Sequence, residues 1–409
     1  MKDKRKHKFK DKLYSAVERV MRGEKKQRWS IFSIFLRGFL YFLSLGYQVA
    51  LWSKQWFYQS GLLQAEKVPI KVISIGNLAV GGRGKTPLAL FLLEHFLKAD
   101  KKVAISTRGY RSQIEKSGQS VALDLEKQPL PAFEEIGDEA LLFARRIQKL
   151  KNQPAFLDVL AKASVIVGKN RYKSALLAKK RKAGILILDD GFQYRKLFQD
   201  IKILMIKKSD FSAQTKFLPR GVLRDLPQRV NEADFIMVEE KDLAFALNTF
   251  PERKVVAFQN SFSAFKTLQG KTVEQNKFTG KAIKSAVFCA IGDPERFISA
   301  LEKTSLEIVK KTFFLDHLPI KQDFLEKFAI EAQALGSEFL ICTEKDAVKL
   351  FTSSEPDSSD LNFKKNQLSL PIYYPELELK IVFGQSNLEK ALRINLASAI
   401  IDKAIIDKK

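Results

Sequence analysis

From Val68 onward the chain alternates short apolar runs with stretches of helical period. The strand-like runs are Ile70–Ile75, Lys102–Ser106, Ala163–Val167, Gly184–Leu188, Ile201–Ile206 and Asp234–Val238. Helical patterns fall between them at Lys85–Ala99, Asp138–Leu150 and Asn170–Lys182. Runs that are apolar throughout, rather than at every second position, are those of strands covered on both faces, so the pattern predicts an α/β fold with a mostly parallel sheet. A second block repeats the alternation: strand Ala286–Ile291, helix Pro294–Lys303, strand Glu307–Phe313, helix Lys321–Leu335, strand Glu338–Cys342. It reads as a smaller α/β domain. Lys254–Lys284 between the blocks is strand-like but polar and irregular, as a linker would be. Ser353–Ser359 has the composition of a surface loop, and Leu388–Lys408 the pattern of a closing amphipathic helix. The expected division is therefore 1–66, a larger α/β domain 67–253, a strand-like linker 254–284, a smaller domain 285–384 and a helix 385–409.

The first of these pieces has a different pattern. Ile31–Trp52 is apolar or weakly polar except for Arg37, and residues 1–28 carry twelve Lys/Arg against four acids. A cleaved leader fits poorly, because the basic region is long and no small-residue cleavage site follows. Three readings stay open: a spanning helix, an interfacial helix, and a core helix. The run is about the ~20 residues a span needs. Its aromatic residues (Phe32, Phe35, Phe39, Tyr41, Phe42, Tyr47, Trp52) suit the headgroup boundary, and its polar breaks favour the interface. The basic side would rest on an anionic leaflet.

Charge and composition narrow the chemistry. With 70 Lys+Arg against 46 Asp+Glu the net charge is +24, which favours an anionic partner without choosing one. Two cysteines, Cys289 and Cys342, sit in apolar runs without C-x-x-C spacing, as buried thiols in a reducing compartment do. Three histidines, His7, His95 and His317, argue against zinc chemistry.

The strand Ile70–Ile75 runs through GNLAVGGRGKTP into a leucine-rich helix. That is a phosphate-binding loop: glycines at 81, 82 and 84 turn main-chain N–H groups inward, Lys85 reaches β/γ-phosphates and Thr86 binds Mg2+. Ala79 stands where the strict pattern has its first glycine. Residues Ala79, Val80, Gly81, Gly82, Arg83, Gly84, Lys85 and Thr86 are the candidate nucleotide cradle. Asp189 and Asp190 end the apolar run from Gly184. Alone a paired aspartate is an ordinary turn; beside a P-loop it reads as the metal-orienting acid of a neighbouring strand. Thr343-Glu344-Lys345-Asp346 misses the guanine signature [NT]-K-x-D by one position, so GTPase identity is not supported. Asp138 opens a helix, as an N-cap does, and that position also keeps a general base ionised. His317 lies in a loop after a strand of the smaller domain, either structural or facing the cleft. His95 belongs to a helix face.

Taken together, GNLAVGGRGKTP, STRGYR at Ser106–Arg111, IGDE at 136–139, VGKNR at 167–171, DDGFQ at 189–193, LPRGVLRDLP at 218–227, AIGDPERF at 290–297, LDHLP at 315–319 and TEKDAVKL at 343–350 resemble, in order, the blocks of the tetraacyldisaccharide 4'-kinases of lipid A biosynthesis. The resemblance implies an ATP- and Mg2+-dependent kinase acting on the 4'-hydroxyl of a membrane-embedded acylated glucosamine disaccharide 1-phosphate, at the cytoplasmic face of the inner membrane. It implies Asp138 as base with His317 as its partner, Lys85 and Thr86 on nucleotide and metal, Asp189, Asp190 and Glu139 around the magnesium, and Arg171 and Arg224 on phosphate charge. The fold implied is a P-loop NTPase-like α/β domain with a smaller α/β domain and an N-terminal membrane-associated helix. Three departures stand out: Tyr194 replaces a histidine, Asp225 replaces a glutamate, and Lys149–Lys162 is longer than usual. Rival readings are a membrane-associated P-loop ATPase acting on a protein partner and a basic nucleic-acid binder, against which the apolar helix speaks.

Overall fold

The computed structural model describes residues 31–127, 129–156, 158–212, 214–273, 283–316, 318–350 and 368–393. His317, the Ser353–Ser359 stretch and the chain beyond 393 lie outside these residues; 385–393 are helical.

One twelve-stranded sheet runs through the molecule. Its strands are β1 (Lys71–Asn77), β2 (Val103–Thr107), β3 (Ser120–Ala122), β4 (Ala163–Gly168), β5 (Ile185–Leu188), β6 (Ile201–Met205), β7 (Phe235–Glu239), β8 (Val255–Thr267), β9 (Ile283–Cys289), β10 (Leu306–Phe313), β11 (Phe339–Ile341) and β12 (Ile372–Phe383). The order across the sheet is β10-β9-β11-β12-β8-β7-β6-β1-β5-β2-β4-β3. The principal helices are α1 (Ile31–Gln59), α2 (Lys85–Lys98), α3 (Asp138–Leu150), α4 (Arg171–Lys180), α5 (Pro294–Leu301), α6 (Gln322–Ala334) and α7 (Glu344–Leu350).

The nucleotide half, β4-β2-β5-β1-β6-β7, is parallel, and its strands are buried nearly throughout. The apolar residues of α2 and α3 cover one face, with Phe96, Phe143, Leu88 and Ile147 among the most enclosed. Covering both faces of a parallel sheet is what forces such strands to be apolar at every position.

The polar, strand-like stretch expected as a linker contributes a long strand, β8, to the sheet. β8 pairs parallel with β7 on one side and antiparallel with the length of β12 on the other. Its middle alternates between exposed and half-buried positions, so the sequence carries no continuous apolar run there. This ribbon joins the nucleotide half to a smaller parallel group, β12-β11-β9-β10, with its own cores around Phe288, Phe328 and Leu325 and around Phe297, Leu301 and Ile341. The segment after Lys149 closes α3, then forms a 3-10 turn at Pro154–Phe156 and a short helix Val159–Lys162, anchored by buried Phe156 and Val159.

Helix α1 docks by one face along residues 217–232 and 193–195. Tyr47 Oη donates to the carbonyl of Arg224 at 2.7 Å, Ser44 Oγ to that of Phe217 at 3.1 Å and Lys54 Nζ to that of Gln193 at 3.2 Å. Arg195 stacks over the Tyr58 ring and Arg220 over that of Tyr41. The opposite face presents Phe35, Phe39, Phe42, Val49, Trp52 and Trp56 to the exterior, spaced three, four or seven residues apart, as one helix stripe requires.

Candidate active site

The carboxyl ends of the parallel strands converge on one edge, where ligands of open α/β sheets bind. β1 delivers the glycine loop there. Its first residues are braced by main-chain bonds: Val80 N donates to Val222 O at 2.8 Å and Arg224 N to Leu78 O at 2.9 Å. Ala79 is wholly buried and bridged to Leu223, so its side chain replaces a glycine at a position with ordinary strand pairing. Ala79 and Val80 are therefore scaffold rather than phosphate donors. Arg83 is also turned away from the cradle, buried against Asp210 at 2.5 Å. The loop proper is Gly81–Thr86. Gly84, with φ 86°, caps α2 in the left-handed region that only glycine enters without strain. Thr86 follows Lys85 in the first turn, at the positive end of α2.

Lys85 Nζ lies 3.4 Å from Asp190 Oδ1 and 3.3 Å from Asn77 Oδ1. Arg224 grips the same Asp190 carboxylate with both terminal nitrogens, 2.8 Å for the Nη1–Oδ2 bond, and donates to Asn77 as well. Burial alone would raise the Asp190 pKa; Lys85 and Arg224 reverse this and hold it well below the usual carboxylate range. Asp190 is thus an ionised anchor for two cations, which differs from the magnesium-ligand role expected of it. Asn77, in no recognised position of the motif, orders both cations.

Asp189 is the contrasting neighbour. It is buried, and its Oδ1 has no hydrogen-bond partner. Burial first, then the nearby Glu139 carboxylate, push its pKa up to about 8. A buried, partnerless carboxylate oxygen beside a second carboxylate is a group that a cation would satisfy. Among the described residues no three His, Cys, Asp or Glu side chains could hold a metal by themselves. That suits magnesium, which is bound by one or two carboxylates together with phosphates and water. The donors Asp189, Glu139 and Thr86 fit such an ion.

Asp138 and Glu139 open α3 at the neighbouring strand end. Asp138 is buried; its Oδ1 accepts from the N–H of Glu139 at 2.9 Å, and Thr107 Oγ1 donates to Glu139 Oε2 at 3.4 Å. The residue before it, Gly137, takes φ 90° and packs on Gly109 of the STRGYR loop. Arg171 is not at the phosphate position expected of it. It is buried, and its guanidinium donates to Asp189 O at 2.7 Å and to Ser106 Oγ and Gly168 O, each at 3.2 Å, a strut beneath three strand ends. Tyr194 donates to Asn170 Oδ1 at 3.0 Å, and Asn170 caps α4, so the phenol steadies the strut's own helix. Asp225 pairs with Arg229 and accepts from Gln193 Nε2 at 3.2 Å.

The smaller half completes the cleft from the other side. Gly292 lies against the loop so closely that a Cβ there would fall 3.0 Å from Gly82 N and 3.1 Å from Gly81 Cα. Lys207 meets Asp293 at 2.6 Å and Arg296 meets Glu239 at 3.1 Å. On α7, Lys345 and Lys349 reach Asp138 Oδ2 at 3.8 and 3.7 Å; both lie in the TEKDAVKL block, which the sequence quoted without giving either lysine a role at the site.

A lysine-bearing glycine loop facing aspartates of the adjacent parallel strand places this chain among the P-loop nucleotide-binding enzymes. The family model of tetraacyldisaccharide-1-P 4'-kinase matches residues 36–397, and the chain belongs to that family. Tetraacyldisaccharide 4'-kinase of Chlamydia caviae is 33% identical over 286 residues, covering 68% of this chain and 72% of its own. That of Halothermothrix orenii is 31% identical over 322 residues, covering 74% and 80%. The LpxK structure from Aquifex aeolicus, solved in complex with ATP, superposes with TM-score 0.65 at 26% identity, over 88% of this chain and 98% of that one.

Proposed function

We propose that this protein transfers the γ-phosphate of ATP to the 4'-hydroxyl of a tetraacyl glucosamine disaccharide 1-phosphate in lipid A biosynthesis. The family match carries the reaction; the placement of Asp138 at the same strand edge as Lys85, in a cleft closed by the smaller half, supports the assignment of roles.

In this reading the N–H groups of Gly81–Thr86 and the positive end of α2 cradle the β- and γ-phosphates, and Lys85 leaves Asp190 to bind them. Asp190 and Asn77 then keep Arg224 at the loop's flank. Thr86, Asp189 and Glu139 would hold Mg2+, which supplies charge neutralisation at the phosphates when bound. Asp138 accepts the proton of the acceptor hydroxyl as the oxygen attacks, with Lys345 and Lys349 of the smaller half alongside it. His317 remains its proposed partner. The halves act as two domains, 67–253 and 285–384, flexing at the β8–β12 ribbon.

A lipid acceptor keeps its acyl chains in the bilayer, so the enzyme works at the surface. Helix α1 is long and apolar enough to cross a membrane by length and composition. Its polar contacts with the nucleotide half, however, run from Ser44 to Tyr58, more than three turns. A helix held along a water-exposed domain over that length lies on the leaflet with its aromatic stripe immersed, rather than across it. The basic tail before it favours an anionic leaflet, which suits the cytoplasmic face of the inner membrane.

The test is incubation of the purified protein with γ-labelled Mg-ATP and the tetraacyl disaccharide 1-phosphate, followed by separation of lipid products. Label on the 4'-position is the expected result. Label released to water as phosphate, with none on lipid, would instead support a hydrolase acting with a partner.

A further inference from the structure

Thr343–Asp346 missed a guanine motif, and the phosphate chemistry described above does not use it. The structure gives it a different geometry. Asp346 is wholly buried and accepts from Thr343 Oγ1 at 2.7 Å and from the N–H of Ala290 at 3.0 Å, tying the start of α7 to the end of β9. Lys349 Nζ sits 3.1 Å from the other oxygen of Asp346. The helix is thereby fixed in the smaller half, and its residues Lys345 and Lys349, one turn apart, face α3 of the nucleotide half.

Lys349 is buried and held on its own side by Asp346. Lys345 has a wider set of partners: Asp138 Oδ2 at 3.8 Å, Glu139 Oε1 at 3.8 Å and Asp316 Oδ1 at 3.4 Å. It thus bridges the two carboxylates that open the base helix to a carboxylate of the smaller half. A second contact set fixes the same α3 further along: Arg146 donates to both oxygens of Glu344, at 2.6 and 2.9 Å, and Lys149 pairs with Glu376. Contacts at both ends leave α3 little freedom to tilt when the halves are together, and none of them exists when they are apart.

Resting on the kinase reading, we infer that Lys345 is a positioning residue for phosphoryl transfer, which sets Asp138 and Glu139 in working geometry only when the smaller half is closed on the nucleotide half. It acts through those carboxylates rather than on the substrate.

The experiment compares wild type, Lys345→Gln and Lys345→Arg in the full-length protein, measuring kcat for lipid phosphorylation, equilibrium affinity for ATP and thermal midpoint. Misplacing a reacting group by about 1 Å costs about 100-fold in rate, which is the loss of kcat expected for Lys345→Gln. ATP affinity should hold within about 3-fold, and Lys345→Arg should recover to within about 10-fold of wild type, because it restores the charge. A Lys345→Gln enzyme with wild-type kcat overturns the inference. So does one in which kcat, ATP affinity and thermal midpoint fall together, the signature of a strut. If wild type itself puts no label on lipid, the kinase reading fails first and this inference with it.

Discussion

Two ends of one cleft are built differently. Around the P-loop, Lys85, Asn77, Asp190 and Arg224 all come from the nucleotide half and pair among themselves. Around Asp138 the contacts come from both halves: Glu139, itself bonded by Thr107, from one, and Lys345 and Lys349, with Asp316 on Lys345, from the other. The nucleotide end is therefore preformed by a single domain, whereas the acceptor end exists only when two are together. In the proposed roles, such an arrangement would let ATP bind to a ready cradle and tie the base to closure, which would limit transfer of phosphate to water.

The largest expected effect lies at the preformed end. Lys85→Ala removes the cation that the β/γ-phosphates meet and leaves Asp190 with Arg224 alone. Turnover should drop by about 1000-fold, as for loss of a main charge-stabilising group, with ATP affinity falling alongside. Equilibrium binding and steady-state kinetics on the same preparation check this. Retained ATP affinity would show that the two ends are less distinct than drawn.

Next comes the surface on which the acceptor arrives. Replacing Phe35, Phe42 and Val49 together by serine removes three side chains that are 76%, 72% and 65% exposed on the docked helix. At about 1 kcal/mol each for partial immersion, binding to anionic vesicles should weaken about 100-fold. Vesicle flotation measures it. Turnover on detergent-dispersed substrate should change little, since the docking face of α1 is untouched.

A smaller effect sharpens the contact between the two ends. Gly292→Ala places a methyl against the backbone of Gly81 and Gly82. The loop has to move, holding the smaller half slightly open, and kcat should fall about 10-fold. ATP affinity should fall less than that. Equal losses in both would mean that Gly292 shapes the cradle itself.

The smallest effect is on stability. An aspartate whose folded pKa stands at about 8 keeps its proton in the fold at pH values where the unfolded chain has released it. Its contribution to stability therefore falls as pH rises from its ordinary value toward 8. Asp189→Asn removes that dependence, so its thermal midpoint should gain on that of wild type by a few degrees between about pH 5.5 and about pH 8, without nucleotide. A constant difference across that range would place the Asp189 proton elsewhere.

Much of this was legible in the chain. β1, the glycine loop and α2 follow one another with the apolar continuity of buried elements, and the run ending in Asp189 announced its strand. β8 was legible only as a strand-like linker and not as part of the continuous sheet, because its central residues alternate between exposed and half-buried and lack an apolar run. Arg171 misled: an arginine at a helix start near a glycine has the same sequence signature whether it faces phosphate or, as here, props up three strand ends. Asp189 and Asp190 are adjacent and chemically identical, yet Asp190 is ionised by two cations while Asp189 is buried with one carboxylate oxygen unpartnered; the backbone turn at Asp190, with φ 56°, separates them. Lys345 was invisible as a site residue because Asp138 and Glu139, which it meets, lie some two hundred positions away.

The contrast between the two ends rests most directly on Asp138→Ala. Equilibrium ATP affinity and the rate of label transfer to the tetraacyl disaccharide should be measured on that variant beside wild type. With the nucleotide end preformed, ATP affinity stays within about 3-fold while transfer falls by about 100-fold or more, the loss of a general base. Affinity and transfer falling by the same factor would contradict it, since Asp138 would then serve the nucleotide or the fold.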